Sequence, residues 1–362
     1  MGSGAPPDIV WNTGTVWNVS DDGLASTPMM RLNLPDDVPF PDRFTMEHWQ
    51  YLHWSGKVAQ IPYRLAPFPP VVHDPGDLHD QLVAWNIVDP VTGRVAEDAE
   101  HLFADLTRNY SHAVFGQVTF PARAHDRTFD YPAEAKNWGL SDKVHIVPQV
   151  PFLVTVCENK RVTTAVSTAA ALSVNTSDCD ARDVPDACFS REILHMLDPT
   201  GVWGPRNIPG IRIPRSAADV FAADPVLGRI DGSRDEKAFA AAVARVANEA
   251  GVPRATVKVL ADLAKAPVVA RLSMVAARIT ATGEDISMGS AVEVWLLGDE
   301  TGGMVARGPA RDQSGHLMVR YSPATSKDLQ ELISGLFAET AVDPRELSAD
   351  LRNAWRNHLT LG

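Results

Sequence analysis

The sequence predicts an α+β protein whose two similar halves pool their strands into one central antiparallel sheet flanked by helices. Two observations carry this expectation. Near residue 109 the apolar period changes from that of helices to that of strands, and the second half repeats the order of the first: a helix-rich stretch, three strands, a closing helix. Two three-stranded sheets with exposed edges gain by joining into one. The halves match in order of elements rather than in identity. The expected organisation is an extended lead-in over 1–43, α+β subdomains over 44–200 and 201–342, and a terminal helix over 343–362.

In the lead-in, PMMRLNL is the one segment that reads as a strand. Thr45 then precedes the helical stretch MEHWQYLHW, in which Trp49, Leu52 and His53 share a face; Thr45 and His48 do not spell a full capping box. PYRLAPFPPVV breaks regular structure with four prolines. A second helix is expected in DLHDQLVAWNIV with Asp77 as its N-cap, and a third in EDAEHLFADLTRN with the stripe Ala99, Leu102, Phe103 and Leu106.

Strands are expected at HAVFGQVTF, KVHIVPQVPFLVTVC and RVTTAVST, the first two separated by a long polar loop over 121–143 and the last two joined by ENK. A loop carrying Cys179 and Cys188 leads to the helix FSREILHMLDP, stopped by Pro199 and Gly201. After the Pro/Gly-rich GVWGPRNIPGIRIPRS come helices at AADVFAA, DEKAFAAAVARVANEAG and PRATVKVLADLAKAP. Strands follow in VVARLSMVAARIT, AVEVWLLGD with GGMVARG, and HLMVRYS; TSKDLQELISGLFAET closes the unit and DPRELSADLRNAWRNHL adds a helix.

The glycine-rich break in VEVWLLGDETGGMVARG, 292–308, reads as a hairpin turn and not a phosphate cradle. No Lys-Ser or Lys-Thr pair follows it, Met304–Ala306 continue as strand, and Asp299 and Glu300 would repel an anion.

Composition narrows the functional classes. With 362 residues and 45% hydrophobic side chains the chain can bury a large core. A net charge of -12, from 45 acidic and 33 basic residues, argues against general affinity for nucleic acid or anionic lipid. Three cysteines, odd in number and without C-x-x-C spacing, indicate neither a disulfide framework nor a zinc knuckle, and fit a reducing compartment. MGSGAPPDIVWN has no basic and apolar leader pattern, and no window approaches the roughly 18 apolar residues of a membrane span. Unaided export and membrane insertion are not expected.

Reactive constellations are sparse, and no catalytic residue, metal site or cofactor is assigned. HDPGDLHD, with His73, Asp74, Asp77, His79 and Asp80, is the densest set of metal-ligand residue types, but its spacing is not that of a metalloprotease helix. Cys157 ends an apolar strand, the setting of an inert thiol, while Cys179 and Cys188 could pair under oxidation as a redox switch. His112 and His145 read as strand residues on polar faces.

Three segments resemble the EspG family of type VII (ESX) secretion chaperones of mycobacteria and related actinobacteria. They are LHDQLVAWNIVDPVTGRVAEDAEHLFADLTR, the helix FSREILHMLDP, and MVARGPARDQSGHLMVRYSPATSKDLQELISGLF. The likeness runs over residues 44–340 as spaced apolar positions. The long lead-in before Phe44, the insertion SDCDARDVPDAC and the helix after Asp343 depart from the pattern.

The resemblance implies a cytoplasmic, non-enzymatic chaperone that covers the tip of the PPE subunit in a PE–PPE heterodimer, without nucleotide or cofactor. It also implies contact through the loop between the second and third strands of the N-terminal subdomain and through C-terminal helices. With PMMRLNL as first strand, that loop is 121–143. Arg123, Arg127, Lys136 and Lys143 there offset Asp126, Asp130, Glu134 and Asp142, and Phe129, Tyr131 and Trp138 supply aromatic anchors. The partner-binding residues singled out are Arg123, Arg127, Phe129, Tyr131 and Trp138. The alternative for the loop is a solvated segment whose aromatics fold back on the core. Alternatives for the whole chain are a small-molecule or metal-dependent enzyme on the same scaffold, or a structural subunit that self-associates through sheet edges.

Overall fold

The computed structural model describes residues 18–19, 25–26, 44–65, 75–128, 143–157, 160–167, 172–180, 183–198, 201–227, 236–279, 285–287 and 291–340. Contacts divide the chain into two compact units, Pro7–Tyr110 with Phe115–Asp178, and Ser111–Val114 with Cys179–Gly362, the latter also taking Met1–Pro6. PMMRLNL and the helix expected after Asp343 lie outside the described residues.

The first unit begins with α1 (Met46–Trp54), α2 (Pro75–Ala84) and α3 (Glu97–Thr107). α1 does have a capping box: the Thr45 hydroxyl accepts from Glu47 N–H, and His48 Nδ1 accepts from Thr45 N–H at 3.1 Å. The imidazole takes the part usually played by Glu or Gln at the third helical position. With Nδ1 accepting, the ring is the Nε2–H tautomer, which donates to Gln81 Oε1 at 3.1 Å. Burial holds the His48 pKa below its ordinary value. α2 starts at Pro75, so Asp77 sits in its first turn rather than capping it; proline suits that opening position because its missing N–H has no helical partner. The α3 stripe is buried as expected, with Ala99, Leu102, Phe103 and Leu106 facing the core.

β1 (Tyr110–Thr119) follows, then a separate two-stranded ribbon of β2 (His125–Thr128) and β3 (Lys143–Ile146), then β4 (Gln149–Cys157), β5 (Arg161–Ser167) and β6 (Leu172–Asp178). The single strand expected over 143–157 is therefore two. Pro148 lies between them, where a residue lacking an N–H cannot continue a ladder, and its carbonyl accepts from Phe120 N–H at 2.9 Å. β6, not among the expected strands, pairs antiparallel with β5 from Arg161↔Asp178 to Ser167↔Leu172.

The second unit contains α4 (Pro185–Leu197), β7 (Ile211–Pro214), α5 (Arg215–Ala223), α6 (Glu236–Ala250) and α7 (Arg254–Lys265). It continues with β8 (Val268–Ile279), β9 (Asp285–Ser287), β10 (Val292–Leu297), β11 (Met304–Arg311), β12 (Leu317–Pro323) and α8 (Ser326–Thr340). Cys188 lies in the first turns of α4, not in the preceding loop, and is disulfide-bonded to Cys179. β7 was expected to be irregular; it is an edge strand pairing β12, with Ile211 and Ile213 turned inward. Proline is tolerated there because an edge needs hydrogen bonds on one side only.

The strand order is β6-β5-β4-β1-β8-β10-β11-β12-β7, with β9 pairing β8. Among the described residues a four-stranded meander followed by a helix thus occurs twice along the α+β chain, β1-β4-β5-β6-α4 and β8-β10-β11-β12-α8, where three strands each were expected.

Within the second unit α8 buries Leu329, Leu332, Ile333, Leu336 and Phe337, each large side chain contributing about 1.5–3 kcal/mol of transfer free energy. Its Phe337 ring lies 5.4 Å from Phe189 of α4, and Ser190 and Ser326 hydroxyls meet at 3.1 Å. The sheet face opposite Leu332 packs α5 and α7, with Ile211, Ile213, Val305, Val319 and Tyr321 against Ala217, Leu260 and Leu263.

Candidate protein-binding interface

The chain leaves β1 through Phe120, whose ring is buried, and enters a 3-10 turn over Pro121–Arg123. Arg123 N–H donates to Phe120 O at 3.0 Å and Ala124 N–H to Pro121 O at 3.1 Å, so proline at the first turn position and a buried aromatic before it fix the exit direction. β2 then pairs antiparallel with β3: His125↔Ile146, Asp126↔His145, Arg127↔Val144 and Thr128↔Lys143. The expected polar loop is thus a β-ribbon at its base. Arg123 is half-buried at the turn, its carbonyl 3.3 Å from His125 Nδ1, and Arg127 lies within β2. Phe129, Tyr131 and Trp138 lie outside the described residues. Ala122, Asp126 and Thr128 are exposed, and none of 121–126 is buried. An isolated two-stranded ribbon is marginally stable in water, and connecting segments carry binding residues disproportionately often.

The glycine-rich break of the sequence is the turn between β10 and β11, as expected. Arg206 holds it from the preceding loop, donating to both carboxylate oxygens of Asp299 and to Gly302 O at 3.1 Å. The Arg206 hydrogen bonds, together with Thr301 Oγ1 and Gly302 N–H, hold the Asp299 carboxyl below its usual range.

On the sheet face shared by Arg271, Glu293 and Arg307, burial raises the Glu293 pKa, and Arg307 and Arg271 more than offset this to leave the carboxyl lowered. Glu293 accepts from Arg307 at 3.1 Å, from Trp295 Nε1 at 3.0 Å and from Arg271. Sequence reading missed this cluster. The signal was the alternation of Glu293 and Trp295 with Val292 and Val294, which places a charge and an indole on one face of β10.

Cys157 is a free, buried thiol pushed up to about 12 by burial and by Asp105, so it is not a thiolate at neutral pH, in line with an inert core cysteine. Asp105 is itself held by Arg161 at 2.5 Å. In the HDPGDLHD segment, His79 Nδ1 meets the Tyr51 hydroxyl at 3.2 Å, and His73 and Asp74 lie outside the described residues. Among the described residues no three His, Cys, Asp or Glu side chains are grouped to hold a metal ion, and no helix is long and apolar enough to cross a membrane. His112 does not lie on a polar face: its ring packs edge-on to Phe337 at 5.0 Å, because its position in β1 points it toward α8, and burial lowers its pKa.

No protein-family model and no curated protein sequence matches the chain. Among solved structures it is similar to the Mycobacterium tuberculosis type VII secretion system chaperone EspG5, a structure solved in complex with a PE25–PPE41 dimer, at 14% identity and a TM-score of 0.51. The match covers 80% of this chain and 93% of that one. The dehydratase domain from the terminal module of the rifamycin polyketide synthase, at 16% identity over 58% of this chain and 73% of its own, has a TM-score of 0.14, too low to carry an argument. The chain has the fold of the type VII secretion chaperone EspG5.

Proposed function

We propose that this protein is a cytoplasmic chaperone of a type VII secretion system that binds a PE–PPE heterodimer and keeps it soluble before export. The observation that carries the reading is the fold shared with EspG5 over 93% of that chain. The segment 121–146 supports it, since its sequence combines mixed charge with the aromatic residues Phe129, Tyr131 and Trp138, and Ala122, Asp126 and Thr128 at its base are exposed. Arg123 and Arg127 at the base supply cations for acidic or carbonyl groups of the client, and the three aromatic rings supply the anchors that dominate interface energetics.

The mechanism is mass action and needs no cofactor or covalent step. Each client molecule held by the chaperone is withdrawn from the pool that aggregates through its apolar tip, and its folded state is stabilised in proportion to the logarithm of free chaperone over Kd. Co-expression with the PE–PPE pairs encoded near the gene, followed by size exclusion, tests the reading. Co-elution with one pair is the expected result, and failure of every pair to co-elute overturns it.

A further inference from the structure

We propose that Cys179 and Cys188 form a reversible redox clasp that sets the order of the first turns of α4. Their Cα atoms lie 5.9 Å apart with the sulfurs bonded, inside the range a disulfide spans. The bond closes a loop nine residues long in sequence separation.

The start of this helix is held by the packing of Phe189 and Ser190 but has no side-chain cap. Its N-cap is Val184, whose side chain offers no acceptor to the first N–H groups, and the nearby Arg191–Asp183 pair at 3.0 Å is solvent-exposed on the arginine side. Yet the same turns carry the polar contacts of α4 with α8, Asp186 to Ser334 and Ser190 to Ser326. Opening the clasp therefore loosens the segment on which those contacts depend. A cross-link closing a ring of this size removes entropy from the unfolded chain and so favours the folded segment over the unfolded one by about a hundredfold.

Closing removes two electrons and two protons from the thiol pair. A small-molecule disulfide such as glutathione disulfide accepts them, its sulfur–sulfur bond breaking to give two thiols. Opening runs in reverse. An external thiolate attacks Sγ of Cys179, the less deeply buried residue of the pair, and Cys188 leaves as a thiolate that takes up a proton. A second thiol then clears the mixed disulfide from Cys179. Cys157 stands apart from the exchange as a buried thiol. The pair thus accommodates the reducing compartment that the cysteine count suggests: open under reduction, closed under oxidant.

The test uses the full chain equilibrated across ratios of reduced to oxidised glutathione, acid-quenched, then unfolded, alkylated and weighed, with amide hydrogen exchange followed over 185–190. The expected result is three alkylated cysteines at reducing ratios and Cys157 alone at oxidising ones, with exchange over 185–190 at least tenfold faster in the open form and slowed again on reoxidation. Cys179→Ala is expected to keep its two remaining cysteines alkylated and the fast exchange at every ratio. Three alkylated cysteines at every ratio, a pair that closes without changing exchange, or a Cys179→Ala chain that still responds to oxidant would overturn the proposal.

Discussion

Arg206 grips Asp299 through both terminal nitrogens, at 2.6 and 2.8 Å, and so ties the loop before β7 to the turn between β10 and β11. The guanidinium is largely buried, and two parallel charge-assisted bonds are among the stronger side-chain contacts. Arg206→Ala is predicted to destabilise the protein by about 1–2 kcal/mol, read as a lower urea midpoint at unchanged slope. Arg206→Lys should recover only part of the loss, because an ammonium cannot match both oxygens.

Gly303 makes the same junction sensitive to a single methyl group. Its φ is +97°, and a Cβ there would stand 2.9 Å from Arg206 Cα, which is backbone and cannot step aside. Gly315 has φ +82° but open space around it. Gly303→Ala should therefore cost more than Gly315→Ala, the latter losing only the conformational strain of about 1 kcal/mol. Equal losses in thermal or urea unfolding would mean that the close approach to Arg206 does not matter.

Gly308 tests the packing of α8 on the sheet. A Cβ would lie 2.8 Å from Val292 Cγ2 and 3.1 Å from Leu332 Cδ2. Gly308→Val should cost about 1–3 kcal/mol by forcing the helix outward, and Leu332→Ala in the same chain should return part of it by making room, a coupling measurable in a double-mutant cycle.

Acid should weaken the fold in two windows of the same sign. His48 and His112 have folded pKa values below the ordinary 6.5, so the unfolded chain takes up protons first and stability falls as pH drops below about 6.5. Glu293, lowered from 4.5, contributes stability that is present above that value and is lost as pH falls further through its folded pKa. His48→Gln keeps an acceptor at the third helical position but does not titrate. Its stability should fall less steeply than the natural chain's between pH 7 and 5, while the drop below pH 4.5 is retained.

The helices and the long strands were legible because their periods are carried by many side chains: the α3 stripe and the 292–308 hairpin stand where the sequence puts them. What escaped were short elements whose order comes from neighbours. β7 shows the alternation Ile-Arg-Ile-Pro, but only four residues long and among prolines, and β6 holds LSVNTSD as a strand through pairing with β5 rather than through propensity. The His48 cap needed knowledge of ring orientation, and the disulfide needed two residues brought to 5.9 Å that no spacing rule joins. For the candidate interface, the sequence marked the segment and its aromatic content; the pairing of β2 with β3 rests on contacts between residues some 18 apart in the chain.

Calorimetric titration of a purified PE–PPE heterodimer into the full chain bears most directly on the chaperone reading, run beside a variant carrying Phe129→Ala, Tyr131→Ala and Trp138→Ala. The account predicts saturable, equimolar binding to the natural chain and a Kd raised at least thirtyfold in the folded variant, the effect of losing an anchor worth about 2 kcal/mol. Absence of binding to every candidate pair would contradict the function, and an unchanged Kd in the variant would remove the interface from the ribbon.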